Sequence, residues 1–389
     1  MTRSERTADL VVVGNGVIGL AVALACHDRE PDLRIAVVGP SRRPGGATPA
    51  AAAMLAFASE ARPRTLVDPV EFAWLEFVAG SVRSWPSWLE GIADRAGLPE
   101  SAVPRIASGV AIVGDAEDPE FDAIERAAER LGTPCAPIDP AFLGLRGGSE
   151  DRRGLRLDEE GGVDPVEVLR LLESAARAAS IEIVDDRVAG VGVSQVEITS
   201  GSILHADRIV LCSGAGAHGL LHEELRRRHA VPRVRHGIGV GLRGPVPPAI
   251  DDAGLVVRTP IRDDGTNLYV VPHGPGRGYI GATTLLADEP RATPTREEVD
   301  AITDAADRLL GSGFVDDRHR TVIGSRPVSE DGRPIVGRLE EGLWIATGTG
   351  RHGLSAAPRL AAALAASILD DRSGPIRSVP SWSVRPVAL

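Results

Sequence analysis

The stretch "DLVVVGNGVIGLAVALA", residues 9–25, joins a run of β-branched residues to a small-residue helix through the pattern Gly14-x-Gly16-x-x-Gly19. In such a pattern the first glycine permits a tight turn, the second lets the backbone approach a pyrophosphate, and the third lets the helix pack close to the strand. The amides at the helix start would face phosphate groups, where the helix dipole favours negative charge. The stretch therefore predicts a βαβ unit that binds a dinucleotide, rather than a glycine-rich turn with a purely structural role.

The same stretch is apolar enough to resemble a signal peptide or a short membrane span. The glycines at fixed offsets and the early polar residues His27 and Asp28 favour a buried strand and helix instead. We therefore expect no membrane association.

The second predicted strand, "RIAVVGP" at residues 34–40, ends on Gly39, where an acidic residue usually binds the adenosine ribose. Two interpretations stay open. Arg42 and Arg43 could meet the 2′-phosphate of NADP, or Ser41 and backbone amides could take over the ribose contact of FAD. Gly39 is compatible with both interpretations.

Composition excludes several classes of function. The chain has 389 residues, more than one core usually supports, so two domains are expected. Its net charge of -11 argues against a nucleic-acid partner. All 43 basic residues are arginine, and without lysine there is no Schiff-base chemistry and no P-loop lysine. The cysteines Cys26, Cys135 and Cys212 are too widely spaced for a metal cluster or a disulfide framework, which predicts no metal site and a cytoplasmic setting.

Further segments fit a nucleotide-binding domain. Residues 44–60 predict a glycine-rich loop that runs into a helix of alanines ending near Glu60. Residues 161–191 predict a turn, an amphipathic helix and a returning strand, with Val188 at its far end. Residues 206–218 predict a buried strand that ends in Gly214. Residues 342–369 predict a strand, a glycine-rich loop and a long apolar helix.

With these segments the chain resembles the D-amino acid oxidase family of FAD enzymes, and within it is most similar to the glycine and sarcosine oxidases. The resemblance covers nearly the whole chain. Its motifs follow in order as the N-terminal glycine pattern, "ATPAAAAML", "GGVDP", "ADRIVLCSGA", "LYVVPHGPGRGYIGATT", "SRPVSEDGRPIVG" and "GTGRHGLSAAP".

The resemblance implies three catalytic residues. Arg326, which the sequence alone could leave as a surface residue before a turn, occupies the place of the arginine that binds the substrate carboxylate. Tyr269 matches a tyrosine that assists it, and Arg351 matches an arginine that borders flavin and substrate. A guanidinium fits a carboxylate bidentately and stays charged, so Arg326 would hold an amino acid by its acid end.

The resemblance also implies the cofactor contacts and the reaction. Hydride would pass from the substrate Cα to FAD, without an obligatory side-chain base, and O2 would be reduced to H2O2 while the imine is hydrolysed. The start of the last helix would face the charge that develops on the reduced flavin. The expected FAD contacts are Gly14, Gly16, Val17, Ile18, Gly19, Gly39, Ala47, Thr48, Ala52, Ala53, Met54, Val188, Gly214, Thr349, Gly350, Arg351, His352, Gly353, Leu354 and Ser355.

The chain departs from its relatives at several positions. Thr349 and Gly350 replace a histidine and an aromatic residue, and His273 replaces an arginine. Aromatic residues make up only 3% of the chain, so we expect a pocket roomy enough for an N-substituted glycine or a larger amino acid. No cysteine falls in the C-terminal motifs, so FAD should be non-covalent. With no lysine to activate oxygen, Arg351 or His352 would have to do so.

The predicted fold is α/β (α+β), with a Rossmann-like FAD-binding domain and a second, mostly antiparallel substrate domain. The FAD domain would comprise residues 1–82, 150–220 and 323–389, and the substrate domain residues 83–149 and 221–322, including a helix at 295–311.

Three alternatives are an NADP-dependent dehydrogenase, a D-amino acid dehydrogenase with another electron acceptor, and a catalytically silent flavin-binding subunit. The oligomeric state stays open. A chain this rich in arginine would suit a high-GC genome and a specialised biosynthetic route.

Overall fold

The computed structural model describes residues 5–145, 152–261 and 267–370. Its strands are β1 (Glu5–Val13), β2 (Ile35–Val38), β3 (Met54–Leu55), β4 (Ile106–Asp115), β5 (Cys135–Pro137), β6 (Arg152–Val163), β7 (Glu182–Val184), β8 (Val188–Val191), β9 (Gln195–Ile198), β10 (Ile203–Leu211), β11 (Val234–Gly244), β12 (Val256–Arg258), β13 (Tyr269–Gly274), β14 (Arg277–Gly281), β15 (Leu285–Ala287), β16 (Arg320–Ser329), β17 (Ile335–Glu340) and β18 (Leu343–Thr347). Its α-helices are α1 (Val17–Arg29), α2 (Ala47–Ala50), α3 (Pro69–Arg83), α4 (Trp85–Arg95), α5 (Pro119–Leu131), α6 (Pro165–Ala178), α7 (Ala217–Leu220), α8 (Glu223–Arg228), α9 (Pro248–Ala253), α10 (Arg296–Leu310) and α11 (Ala357–Leu369).

The first sheet has β1 at its centre, in the order β17-β18-β10-β1-β2-β7. β1 pairs in parallel with β10 and β2, and β17 runs antiparallel to β18. The β-branched run of β1 is buried on both faces, because Leu10 and Val12 join one core cluster while Val11 and Val13 join another. Helices α1 and α11 pack together beside this sheet. This arrangement confirms the Rossmann-like half of the predicted fold.

The second sheet follows the order β15-β11-β14-β13-β12-β4-β6-β3, with β16 paired to β11 and β5 paired to β6. Its pairings are antiparallel except for the parallel contact of β12 with β4. Helix α10 covers this sheet, and its residues Ile302, Ala306 and Leu309 pack in the same apolar cluster as Val240 and Leu242 of β11. The mostly antiparallel second sheet is therefore confirmed.

The exact division of the chain between two domains stays a prediction. Three strands belong to the second sheet although the predicted boundaries place them wholly or mainly in the FAD domain. They are β3, β6 and β16. Strand β16 consequently brings Arg326 to the border between the two sheets. Residues 371–389, the end of the expected FAD domain, lie outside the described residues.

The predicted alanine helix over residues 44–60 is wrong. Helix α2 spans only four residues and is followed by the extended residue Ala51, and β3 then pairs with β6 at Met54 and Gly162. Ala53 has a φ of 61°, which a helix does not accommodate, and its carbonyl accepts a hydrogen bond from the Val163 amide at 3.0 Å. Pairing with the second sheet therefore overrides the helix propensity of alanine.

Among the described residues, none of the helices combines the length and the apolar character that crossing a membrane requires.

Candidate active site

A cavity of about 420 Å³ lies between the two sheets. It opens at the carboxyl ends of the parallel strands β1, β2, β10 and β18, where ligands of open α/β sheets bind. Its volume falls in the usual range for ligand pockets, about 300 to 1,000 Å³. The predicted site residues that line it are Gly14, Gly16, Val17, Ile18, Gly39, Ala47, Thr48, Val188, Gly214, Arg326, Thr349, Gly350, Arg351, Gly353 and Leu354.

The other predicted site residues do not line this cavity, namely Gly19, Ala52, Ala53, Met54, Tyr269, His352 and Ser355. Ser355 shows how such a residue supports the backbone around the cavity. Its hydroxyl donates to the Met54 carbonyl at 3.2 Å and accepts from the Ala56 amide at 3.2 Å, which joins the start of α11 to the segment after α2. His273 supports the same segment, because its Nε2 donates to the Ala52 carbonyl at 2.9 Å.

The glycine turn has no room for side chains. A Cβ at Gly19 would lie 1.8 Å from the Gly14 carbonyl oxygen, and one at Gly14 would lie 2.5 Å from the Cys212 oxygen. Gly14 also has a φ of 111°, which side chains disfavour. The Val17 amide at the start of α1 donates to Thr48 Oγ1 at 3.3 Å, so α2 is tied to this turn.

The position of the Asn15 side chain explains why residue 39 is a glycine. A Cβ at position 39 would lie 2.5 Å from the Asn15 side chain, whose Nδ2 donates to the carbonyls of Gly39 and Pro40 at 3.0 and 3.2 Å. Arg43 is held by an ion pair with Glu173 and by a 3.0 Å hydrogen bond to the Asn15 carbonyl. Because its guanidinium is already engaged, Arg43 gives the NADP interpretation little support.

Arg326 and Tyr269 meet, as the resemblance implies. Arg326 Nη2 donates to the Tyr269 hydroxyl at 3.2 Å, and Nη1 lies 3.5 Å from the Thr283 carbonyl and from Thr284 Oγ1. The Tyr269 ring stacks on Tyr279, with centroids 6.1 Å apart. Burial raises the pKa of Tyr279, so this phenol stays protonated. The half-buried Arg326 is therefore the charged side chain among these three. Its positive charge can bind one carboxylate.

Glycines on β11 make room for this group, although none of them is among the predicted site residues. Gly237, Gly239 and Gly241 alternate along the strand, so they share one face. A Cβ at Gly239 would lie 2.6 Å from Arg326 Nη1, and one at Gly241 would lie 2.1 Å from the Tyr279 hydroxyl. In "HGIGVGLRG", residues 236–244, glycine recurs at every second position. This pattern is the sequence signal for a strand face without side chains.

Replacing Gly239 by alanine should displace the Arg326 guanidinium while leaving the strand intact, because the crowded atoms lie at the end of a flexible side chain. We expect kcat/KM for a carboxylate-bearing substrate to fall roughly 100-fold, mainly through KM, as misplacement of a positioning group by about 1 Å can cost this much. Steady-state kinetics measure it. Gly219→Ala is the control, because a Cβ there meets no atom within 4 Å, and equal KM values in both variants would contradict the prediction.

Arg351 lies at the cavity and approaches Glu60, with Nη1 and Oε2 3.5 Å apart. Burial alone would raise the pKa of Glu60, but the nearby cations, led by Arg351 and Arg258, lower it below its usual range. Glu60 is therefore an anion that fixes Arg351. His352 accepts a 3.1 Å hydrogen bond from Trp74 Nε1 at its Nδ1, and burial lowers its pKa, so it is neutral.

Glu160 of β6 is a buried carboxyl group that contacts Ser59, the neighbour of Glu60. It accepts hydrogen bonds from the amide and hydroxyl of Ser59. Burial raises its pKa to about 7, against the lowering effect of the Ser59 hydrogen bonds. The folded state therefore holds a proton that the unfolded state releases above pH 4.5, so the free energy of unfolding falls as pH rises from about 4.5 through 7.

Glu160→Gln should remove this pH dependence, because the amide stays neutral. At pH 8 we expect the variant to unfold with a higher free energy than the wild type, by about 3 kcal/mol at most, and the gain should vanish toward pH 4.5. Urea denaturation at both pH values measures the difference. A gain of equal size at both values would contradict the assignment.

The cavity fits a dinucleotide cofactor. Besides the glycine turn, Gly214, Gly216 and Gly350 line the cavity, and a Cβ at any of them would meet no atom within 4 Å. These positions leave backbone bare for close approach by a ligand. Gly214 and Gly350 have φ values of 59° and 55°, which also favour glycine. The site therefore has the bare backbone that a flavin and its phosphates require.

Comparison of the sequence with known proteins identifies the family. The family model DAO, FAD dependent oxidoreductase, matches residues 9–367. Bifunctional protein ThiO/ThiG of Trichormus variabilis is 28% identical over 96% of this chain and 54% of its own length. A D-amino acid dehydrogenase of Cereibacter sphaeroides is 30% identical over 52% of this chain and 44% of its own. The chain spans about half the length of these curated relatives, or less.

Solved structures share the fold. A glycine oxidase from Geobacillus kaustophilus superposes with a TM-score of 0.76 at 22% identity, covering 95% of this chain and 96% of its own. An iminodiacetate oxidase from Chelativorans sp. BNC1 superposes with a TM-score of 0.74 at 20% identity, covering 96% and 98%. Together with the family match, which extends over nearly the whole sequence, they identify the chain as a member of the DAO family of FAD-dependent oxidoreductases.

Proposed function

We propose that this oxidoreductase oxidises the Cα–N bond of glycine, an N-substituted glycine or a small amino acid. The observation that carries the proposal is the clamp of Arg326 and Tyr269, which presents a guanidinium fork to the FAD cavity. The substrate carboxylate would form paired hydrogen bonds with Arg326, while the Tyr269 hydroxyl orients the same group. The catalytic roles of Arg326, Tyr269 and Arg351, and the cofactor contacts named above, are part of this proposal.

The charges around the cavity favour a neutral substrate amine. No Asp or Glu lies among the described residues that line it, whereas Arg326 and Arg351 both do. Nearby cations destabilise an ammonium group, so the amine would lose its proton readily and keep its lone pair for forming the imine. When bound, FAD supplies the acceptor for the Cα hydride. Water then hydrolyses the imine to an amine and glyoxylate or another 2-oxo acid.

Composition and the structural relatives favour a substituted substrate over free glycine. Only 3% of the chain is aromatic, so few bulky side chains are present to close a substrate pocket around free glycine. The structural relatives include a glycine oxidase and an iminodiacetate oxidase, which suggests glycine or an N-substituted glycine as the substrate class. We expect N-alkyl glycines to give higher kcat/KM than glycine. A panel in which glycine is the best substrate, and longer N-alkyl glycines the worst, would overturn this assignment.

The electron acceptor is proposed to be O2, with H2O2 as the product. D-amino acid dehydrogenases among the relatives make another carrier the alternative. Simultaneous measurement of O2 consumption and H2O2 release during turnover distinguishes them. One H2O2 per substrate oxidised supports the oxidase, whereas turnover that requires an added artificial acceptor contradicts it.

A further inference from the structure

Arg258, the last residue of β12, forms an ion pair in the interior of the protein. Among the described residues it is the only buried arginine, with 0% of its surface exposed. Its Nη2 donates to Glu120 Oε2 at 3.0 Å, and its Nη1 donates to the Thr259 carbonyl at 3.1 Å. Glu120, near the start of α5, is itself only 5% exposed. Burial raises the pKa of Glu120, while the charge of Arg258 opposes the shift.

The stability of the core does not explain why the protein keeps this pair. Two ions that are removed from water lose their hydration, and their attraction offsets that loss only when further hydrogen bonds satisfy the remaining polar atoms. Here the Nε of Arg258 has no partner among the residues that the structure describes. Apolar side chains of similar volume often support a fold equally well at such a place. The location of the pair suggests a different role.

The ion pair lies beside the tyrosine of the carboxylate clamp. Arg258 is directly opposite Tyr269 in the antiparallel pair of β12 and β13. Both side chains therefore leave the same face of the sheet, with their Cβ atoms about 4.5 to 5.5 Å apart. Tyr279 stacks on the Tyr269 ring from β14, which borders β13 on its other side. Tyr269 is thus flanked by Tyr279 and by Arg258.

Glu120 also fixes the backbone next to this tyrosine. Its Oε2 accepts a second hydrogen bond, from the Ile261 amide at 3.1 Å. One residue beyond the ion pair, the Thr259 amide donates to the Leu268 carbonyl at 2.8 Å, and the Thr259 hydroxyl accepts from the Leu268 amide at 3.0 Å. Leu268 immediately precedes Tyr269. The carboxylate of Glu120 therefore ties the end of β12, and through it the start of β13, to helix α5.

We propose that Arg258 and Glu120 are positioning residues of the carboxylate clamp. Neither residue lines the cavity. They act by fixing the start of β13, so that the Tyr269 hydroxyl stays 3.2 Å from Arg326 Nη2 and is in place to orient the substrate carboxylate. The inference rests on the proposed function, because it takes the clamp to bind a carboxylate.

Acetate binding to the holoprotein, followed by the visible flavin spectrum, tests this role. Acetate is glycine without its amine, so it can occupy the clamp without being oxidised. In Arg258→Met/Glu120→Leu we expect the Kd for acetate and the KM for an amine to rise about tenfold, as for the loss of one hydrogen bond, with kcat changed less than about threefold. The urea midpoint should equal or exceed that of the wild type, because apolar side chains replace both charges.

A second ion pair on α5 supplies the matched control. Glu125 of this helix pairs with Arg153 of β6. Arg153→Met/Glu125→Leu should leave the Kd for acetate and the KM unchanged. An equal loss of affinity in both double variants would show that any disturbance of α5 weakens the site, and would overturn the specific role of Arg258.

Tyr269→Phe shows whether the ion pair acts through the clamp. If it does, the two charges matter only while the hydroxyl is present. Adding Arg258→Met/Glu120→Leu to Tyr269→Phe should then weaken acetate binding no further. Losses that add in full, or wild-type acetate affinity in Arg258→Met/Glu120→Leu, would overturn the positioning role.

The same measurements separate this inference from the proposed function. Acetate binding that weakens as expected, in a protein that oxidises no amine, would support the positioning role and refute the proposed reaction. Unchanged acetate affinity and KM in an active amine oxidase would refute the role and leave the reaction standing. A wild-type protein that neither binds acetate nor oxidises an amine would overturn both.

Discussion

Arg326→Ala is expected to lower kcat/KM about 1,000-fold for every substrate that carries a carboxylate. Truncating one partner of a desolvated, hydrogen-bonded charge pair costs about 2 to 5 kcal/mol, and every 1.4 kcal/mol is a factor of ten. The variant also leaves the Tyr269 hydroxyl without its 3.2 Å partner, so the remaining neutral group cannot fix the acid alone. Stopped-flow reduction of the flavin over a range of substrate concentrations measures the loss of affinity directly.

Arg326→Lys is the matched variant, because it keeps the charge and removes the planar fork. We expect it to recover only part of the lost affinity, since an ammonium cannot bind a carboxylate bidentately. The visible flavin spectrum and the FAD content of both variants should match the wild type. An alanine variant within threefold of the wild-type kcat/KM would remove Arg326 from the substrate site.

Gly19→Ala should lower the affinity for FAD roughly 100-fold, equivalent to about 2.8 kcal/mol. The added methyl would lie 1.8 Å from the Gly14 carbonyl oxygen and 3.0 Å from its carbon. Both are backbone atoms, so the start of α1 must move away from the turn that approaches the phosphates. We also expect a lower free energy of unfolding, by about 1 to 3 kcal/mol, as for other overpacked sites. Equilibrium binding of FAD to the apoprotein and urea denaturation measure the two effects separately.

Gly219→Ala again serves as the control, because the same methyl meets no atom within 4 Å and the residue lies in α7. It should bind FAD normally. If Gly19→Ala also binds FAD with wild-type affinity, the close packing of α1 on the glycine turn does not shape the cofactor site.

Residues whose geometry is set by local sequence were predictable. Gly14, Gly16 and Gly19 predict the strand, turn and helix, and close backbone contacts at Gly14 and Gly19 leave no room for a side chain there. The contact of Arg326 with Tyr269 agrees with their places in the resemblance, whereas the role of Arg326 in substrate binding stays a prediction. In both cases short motifs hold enough information to place the residue.

Features that arise from pairing between distant segments were not predictable. The alanines before Met54 predict a helix by propensity, yet pairing of β3 with β6 draws them into an extended path. The role of Gly239 depends on which strand lies beside β11, because only the pairing with β16 brings the Arg326 guanidinium over this glycine. No local pattern specifies those neighbours.

An anaerobic absorption spectrum of the purified holoprotein, recorded before and after addition of glycine, N-alkyl glycines and D-amino acids, distinguishes an amine oxidase from a silent flavoprotein. We expect an N-substituted glycine to bleach the flavin band near completion, and Arg326→Ala to prevent bleaching at the same concentration. A flavin band that none of these amines bleaches, in a protein whose FAD is reduced normally by dithionite, would contradict it.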